Sequence, residues 1–338
     1  MLFRSGRAIV KPDHPFPRRR GVARSVQPVA VPGEGEREVR RGIGLGVAAY
    51  VMWGAFPLYF PLLDPAGAVE ILAHRIVWSL VTMGLVVVLT HRVETVRAVL
   101  ADRRVMRLLA LAAATITVNW GTYIYSVTHD RIVESALGYF INPLVTVAMG
   151  VVVLGERLRR LQWAAMAVAL LAVVVLTLDY GRPPWIALIL AFSFGTYGLA
   201  KKSAGVGAVE SLTLETAFLT PLALGYLAVL GVQGHSTYTG DGVGHALLLT
   251  SAGVVTAVPL LCFGGAATRV PMVTLGLLQY LAPVLQFVLG LAVFGEDMPA
   301  GRWVGFVLVW LALAIFTAEA ARHRRRQLQL AVGASAAA

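Results

Sequence analysis

The chain has 338 residues, 57% of them apolar and 14% charged, with a mean hydropathy of +0.73 and a net charge of +11. Soluble domains carry about 25% charged residues, so this chain cannot cover a water-exposed globule, and its apolar content excludes global disorder. One cysteine, Cys262, rules out an intrachain disulfide framework and Cys-type metal clusters.

The charge is unevenly placed. Residues 1–41 hold ten Lys/Arg against four Asp/Glu, and 321–338 hold four Arg and no acid, whereas 42–320 is close to neutral. Nucleic-acid binding needs a basic face on a folded domain. Basic tails flanking an apolar body suit the anionic cytoplasmic leaflet instead, so the partners expected are lipid and a small molecule, with no nucleic acid. Residues 1–41, rich in Arg, Pro and Gly, read as a disordered tail. The uncharged stretch 42–63 is longer than the apolar core of a secretory signal, roughly 7–15 residues.

From there apolar spans alternate with short polar breaks: 42–63, 69–90, 108–128, 135–154, 161–179, 184–202, 210–230, 245–267, 272–294 and 302–320. Each is long enough for a bilayer core of about 30 Å, and each must be helical because lipid offers no partner to a bare backbone. The fold class expected is an all-α membrane protein of ten transmembrane helices. With the N-terminus cytoplasmic, the inner breaks carry eleven Lys/Arg and the outer ones three (Arg131, Arg182, Arg302), which puts both termini inside.

Sliding the sequence along itself until Pro143 falls on Pro283 also places Gly150 on Gly290, Gly155-Glu156 on Gly295-Glu296 and Trp163 on Trp303, with nine identities in 43 positions over 134–176. Units of five spans, at 42–182 and 183–320, then cross the membrane in opposite senses. Two inverted copies can enclose a site opened to either side in turn.

Ionisable groups inside a bilayer cost about 2.5–3.5 kcal/mol each and tend to face a functional interior. Span two carries Glu70, His74 and Trp78 along one helix face with Arg75 beside them, and span seven carries Glu215. They form the candidate group for binding substrate or relaying protons. Asn119, Trp120, Tyr123, Tyr139, Asn142, Gln279, Tyr280 and Gln286 read as cavity lining, with rings for apolar surface and amides for orientation. Pro143 and Pro283 are read as repeat-related mid-helix bends with a hinge or gating role. His-Glu-x-x-His, Gly-x-Ser-x-Gly and Walker A patterns are missing from the sequence, so neither an enzyme nor a cofactor or metal is expected.

The strings Glu70-Ile-Leu-Ala-His-Arg-Ile-Val-Trp-Ser79, Asn119-Trp120, Glu134-Ser-Ala-Leu-Gly-Tyr-Phe-Ile-Asn-Pro-Leu144 and Gly155-Glu-Arg-Leu158 resemble RarD-type permeases. So do Phe192-Ser-Phe-Gly-Thr-Tyr197-Gly198 with Lys201-Lys202, and Thr274-Leu-Gly-Leu-Leu-Gln-Tyr-Leu-Ala-Pro283. These permeases form part of the EamA branch of the drug/metabolite transporter superfamily. The resemblance implies two inverted five-helix repeats in a bacterial plasma membrane, a secondary transporter of small metabolites or drugs, usually outward, and adds Tyr197 to the site. A non-transporting assembly or sensor protein, or a lipid-carrier translocase on the same fold, is the alternative. Oligomeric state is not legible.

Overall fold

The computed structural model describes residues 34–154, 158–267, 269–270, 274 and 277–336. Gly155-Glu156 and the greater part of the expected N-terminal tail lie outside them.

The described chain is a helical bundle. In order it contains α1 (Glu34–Gly54), a short α2 (Phe56–Tyr59) running into a 3-10 turn (Phe60–Leu63), α3 (Ala68–Leu89), α4 (Val93–Leu100), α5 (Arg103–Thr128) and α6 (Ile132–Leu154). Then come α7 (Arg160–Tyr180), α8 (Trp185–Ala204), α9 (Ala208–Val232), a one-turn α10 (Thr237–Gly240), α11 (Gly242–Ala267), α12 (Leu281–Ala292) and α13 (Ala300–Ala336). Ends are set by local chemistry. Asp102 caps α5 by accepting the Arg104 and Val105 amides at 2.8 and 3.1 Å. Gly181 (φ 64°) stops α7 in the left-handed region, where a Cβ would strain, and Pro183-Pro184 follow it.

Seven helices (α3, α5, α6, α7, α9, α11 and α13) are long and apolar enough to cross a membrane, and α1 with α2 and its turn, bent by 45°, makes an eighth. Trp185–Lys201 and Leu281–Ala292 are apolar but shorter. The expectation of ten full spans is therefore met in part. Pro283 also departs from the reading given it: it stands in the first turn of α12, after a turn at Gln279-Tyr280, where a missing N–H breaks no helical bond. Pro143 does lie inside a continuous helix. At the C-terminus, residues expected as a tail continue α13 to Ala336. Two helices have no counterpart among the predicted spans: α4, with its Glu94–Arg97 pair, and α10.

Leu171, Leu178, Leu222 and Val254 are exposed, the pattern of a surface made for lipid. Between helices, where lipid is as apolar as leucine, close packing has to supply the attraction. Around Phe140, Phe287 and Phe306 the buried faces of α6, α7, α8, α12 and α13 meet, with ring centroids of Phe287 and Phe306 4.9 Å apart.

Ion pairs collect at two ends. Where α1 begins, Arg269 meets Glu38 and Arg92 meets Glu210, both at 2.8 Å, and Arg159 meets Glu319 at 3.2 Å. At the opposite end Arg182 meets Glu134 at 2.8 Å and Arg302 meets Asp179 at 3.2 Å. There the Glu134 hydrogen bond holds Arg182 above its ordinary value. Glu296, beside it, accepts the first amides of α6 at Ile132 and Val133, and burial pushes its carboxyl up. Each set ties loops that alternating helices deliver to one end.

Candidate functional site

Gly67, in extended conformation, starts α3, and Arg75 follows about 10 Å inside the helix at 1.5 Å per residue. Its side chain is 4% exposed. Nε donates to Thr256 Oγ1 on α11 at 2.8 Å, while that hydroxyl spends its own proton on the Ala252 carbonyl. The guanidinium carbon lies 4.1 Å from the centre of the Trp120 ring and 5.4 Å from that of Phe56. Nη1 is sealed from solvent without an acceptor. No carboxylate pairs with Arg75 among the described residues. A desolvated cation–π contact contributes about 2 kcal/mol, against several kcal/mol for burying the ion. The protein alone thus leaves this charge under-compensated.

Around it stand the polar aromatics. Tyr59, Tyr123 and Tyr139 lie within electrostatic reach of the guanidinium. On α5, next to Trp120, Asn119 is 1% exposed and fixed on three sides. Its Nδ2 donates to the Leu190 carbonyl at 3.0 Å and to Ser193 Oγ at 3.1 Å, and its Oδ1 accepts from Tyr139 Oη at 3.3 Å. Tyr123 packs edge-on against Tyr139 and Phe60 at 5.7 and 5.9 Å. Buried Gln286 on α12 lies close to Tyr123, whose hydroxyl is buried without a partner, and donates to the Trp53 carbonyl at 3.2 Å. Six predicted residues (Arg75, Asn119, Trp120, Tyr123, Tyr139 and Gln286) therefore come together from α3, α5, α6 and α12.

The others go elsewhere. Glu70 accepts the Thr237 amide at 2.9 Å and so anchors α10. His74 stacks on Tyr238 at 4.7 Å, and Trp78 on the same ring at 6.4 Å. This α3 face is covered by α10. Glu215, 1% exposed on α9, accepts from Ser211, from Tyr197 Oη at 3.3 Å, and pairs with Lys201 at 3.4 Å. Lys201 also donates to Tyr197 Oη at 2.8 Å. A ring path of Tyr139, Phe194 and Tyr197, with centroids 6.4 and 6.0 Å apart, runs from the first group to this one. Asn142 accepts from Thr146 on its own helix at 3.5 Å. Tyr280 packs against the core around Phe306 and reaches Thr317 and Gln279. An open groove of about 340 Å³ between α10 and α11, lined by Tyr238, Val243, Leu247 and Thr250, contains none of the predicted residues. The buried polar chemistry lies around Arg75, and the candidate site is placed there.

Sequence reading overlooks Thr256, Lys201 as a partner rather than a loop charge, and Glu210, which is 3% exposed and paired with Arg92. A signal for Glu210 was present: Gly67-Ala-Val-Glu70 recurs unchanged as Gly207-Ala-Val-Glu210, at the offset that relates Pro143 to Pro283.

Residues 40–178 match the model of the EamA-like transporter family. The protein named RarD of Streptomyces exfoliatus is 58% identical over 86% of this chain and 92% of its own. The chain belongs to the RarD-type permeases of the EamA family. RarD of Escherichia coli is 40% identical over 86% of this chain and 98% of its own, and an uncharacterized transporter of Pseudomonas aeruginosa is 42% identical over 85% and 97%. A solved crystal structure, 18% identical, shares the fold over 83% of this chain and 98% of its own at a TM-score of 0.54. As a RarD-type permease the chain is a multi-pass bacterial membrane protein and a transporter.

Proposed function

We propose that this permease is a secondary transporter of small metabolites, built from two five-helix units of opposite orientation and working by alternating access, with both termini cytoplasmic. The pattern of helix packing carries the reading. The same offset takes the first span (α1 with α2 and its turn) to α8, α3 to α9, α5 to α11, α6 to α12 and α7 to α13. Under that exchange the packing of α5 on α8 becomes α11 on α1, α6 on α8 becomes α12 on α1, and α3 on α11 becomes α9 on α5; all six are packed pairs. The pairs α3/α9, α6/α12 and α7/α13, also packed, map onto themselves. Contacts unchanged by such an exchange are what a two-fold relation between the units requires, and an odd number of spans in each unit would set that axis in the membrane plane. In addition, Gly67 and Gly207 begin α3 and α9 with the same backbone, φ −68°, ψ 158° and φ −60°, ψ 157°.

The group around Arg75 and Asn119 is the binding site in this reading. Two closures flank it: α10 over His74 and Trp78 toward one end, and the Lys201–Glu215–Tyr197 cluster toward the other. Arg75 and Glu215 occupy matching positions of the two repeats, so they hold equivalent depths in opposite directions. Opening one closure while the other holds would expose the site to one side only.

Proteoliposomes loaded with a bacterial metabolite extract test this, with efflux read by mass spectrometry. Wild-type protein is expected to release a defined subset of metabolites. Trp120→Ala and Arg75→Ala should lower that flux at least about tenfold with the helical spectrum retained, a loss of about 1.4 kcal/mol or more. Undiminished flux in both variants would remove the Arg75 group from the pathway, and no flux from the wild type would count against transport by this chain.

A further inference from the structure

Arg75 invites the question of what neutralises it. On α3, which carries Arg75, and on α9, which packs against it, the carboxylates are committed elsewhere: Glu70 to the Thr237 amide, Glu210 to Arg92, and Glu215 to Lys201, Tyr197 and Ser211. Trp120 covers one face of the guanidinium and Thr256 occupies Nε, so a ligand can reach only its terminal edge, where Nη1 stands without an acceptor. One helical turn further along the same face, Ser79 is fully buried and its hydroxyl is also unpartnered. A planar edge of N–H donors is matched by two oxygens in one plane. One buried positive charge balances a monoanion, whereas a phosphate monoester would bring close to two negative charges.

We infer that Arg75 recognises the carboxylate of a small organic anion, seated edge-on against the guanidinium beside Trp120. This deepens the transport reading and rests on it, since it names the substrate class of the same site.

Full-length protein in lipid nanodiscs is titrated with carboxylates, each against its uncharged amide: benzoate with benzamide, phenylacetate with phenylacetamide, pyruvate with pyruvamide. Phenyl phosphate forms a separate arm, and binding is read by tryptophan fluorescence and thermal stability. At least one acid should bind about tenfold or more tightly than its amide, and more tightly than phenyl phosphate. Arg75→Gln should abolish the discrimination and Arg75→Lys should keep part of it. Amides that bind as well as the acids, a preference for the phosphate, no carboxylate binding at millimolar concentration, or discrimination surviving in Arg75→Gln would each overturn the inference. The acid-to-amide ratio of the wild type needs no variant, so misfolding of Arg75→Gln cannot conceal the answer. Neutral metabolites leaving the liposomes while no carboxylate binds would leave transport standing and remove this inference alone.

Discussion

Gly253→Leu is expected to prevent accumulation of folded protein, and Gly253→Ala to lower its stability by about 1–3 kcal/mol through overpacking. At Gly253, α11 crosses α3 so closely that a Cβ would collide with the Trp78 carbonyl carbon and oxygen and approach Thr82 Oγ1 at 2.8 Å. A main-chain carbonyl inside a helix cannot swing aside, and this one already accepts from Thr82 Oγ1 at 2.8 Å. The helices would have to part. Thr256, three residues along α11, would then be drawn off Arg75 Nε, so the site should suffer with the fold. The matched control is Gly225→Ala on α9, where a Cβ meets nothing within 4 Å. There the substitution should be neutral or stabilising, because alanine is the better helix former by about 1 kcal/mol. Size-exclusion profiles and thermal unfolding in detergent compare the three. A Gly253→Ala protein as stable as Gly225→Ala would contradict the close α3–α11 crossing.

Lys201→Met should destabilise the protein by about 3–5 kcal/mol, because it leaves the Glu215 carboxylate buried without its cation. α8 packs on α5 and α6 while α9 packs on α3 and α5, and the Lys201–Glu215–Tyr197 cluster joins α8 to α9. Loss of this tie should also loosen one closure of the site. Glu215→Gln, which keeps an acceptor for Ser211 and Tyr197, should cost less. The double variant should recover most of the loss, since a pair removed together leaves no orphaned charge. Thermal unfolding of the two single variants and the double variant closes the cycle. Additive losses would mean that Lys201 and Glu215 do not interact.

Much of the bundle is legible from hydropathy because the transfer cost of charge forces polar residues to span ends. The spans drawn at 69–90 and 161–179 differ by a residue or so from α3 (Ala68–Leu89) and α7 (Arg160–Tyr180). The ninth span blurs for a physical reason: Gln279 and Tyr280 form a turn, and an apolar run alone does not say where a helix starts. Residues 321–336 misled because their arginines suggested a solvated tail, although Ala, Arg, Gln and Leu are all strong helix formers. Intramembrane charge identified Arg75 and Glu215 as candidates, since that cost is a property of the residue type. It could not separate them. Glu215 finds Lys201 fourteen residues away across a helix boundary, and Glu70 finds Thr237 at a separation of 167, contacts that only packing decides. The Gly-Ala-Val-Glu recurrence is legible in the sequence and extends the repeat beyond 134–176.

Access to the Arg75 group from alternate sides is tested most directly at Ser193. This residue is 8% exposed, and its Oγ accepts from Asn119 within the Arg75 group. With Cys262→Ser removing the native thiol, Ser193→Cys is treated with a membrane-impermeant maleimide in right-side-out and in inside-out vesicles. Labelling from both sides is the predicted result. Labelling from one side only, or from neither although the unfolded protein reacts, would contradict alternating access to this site.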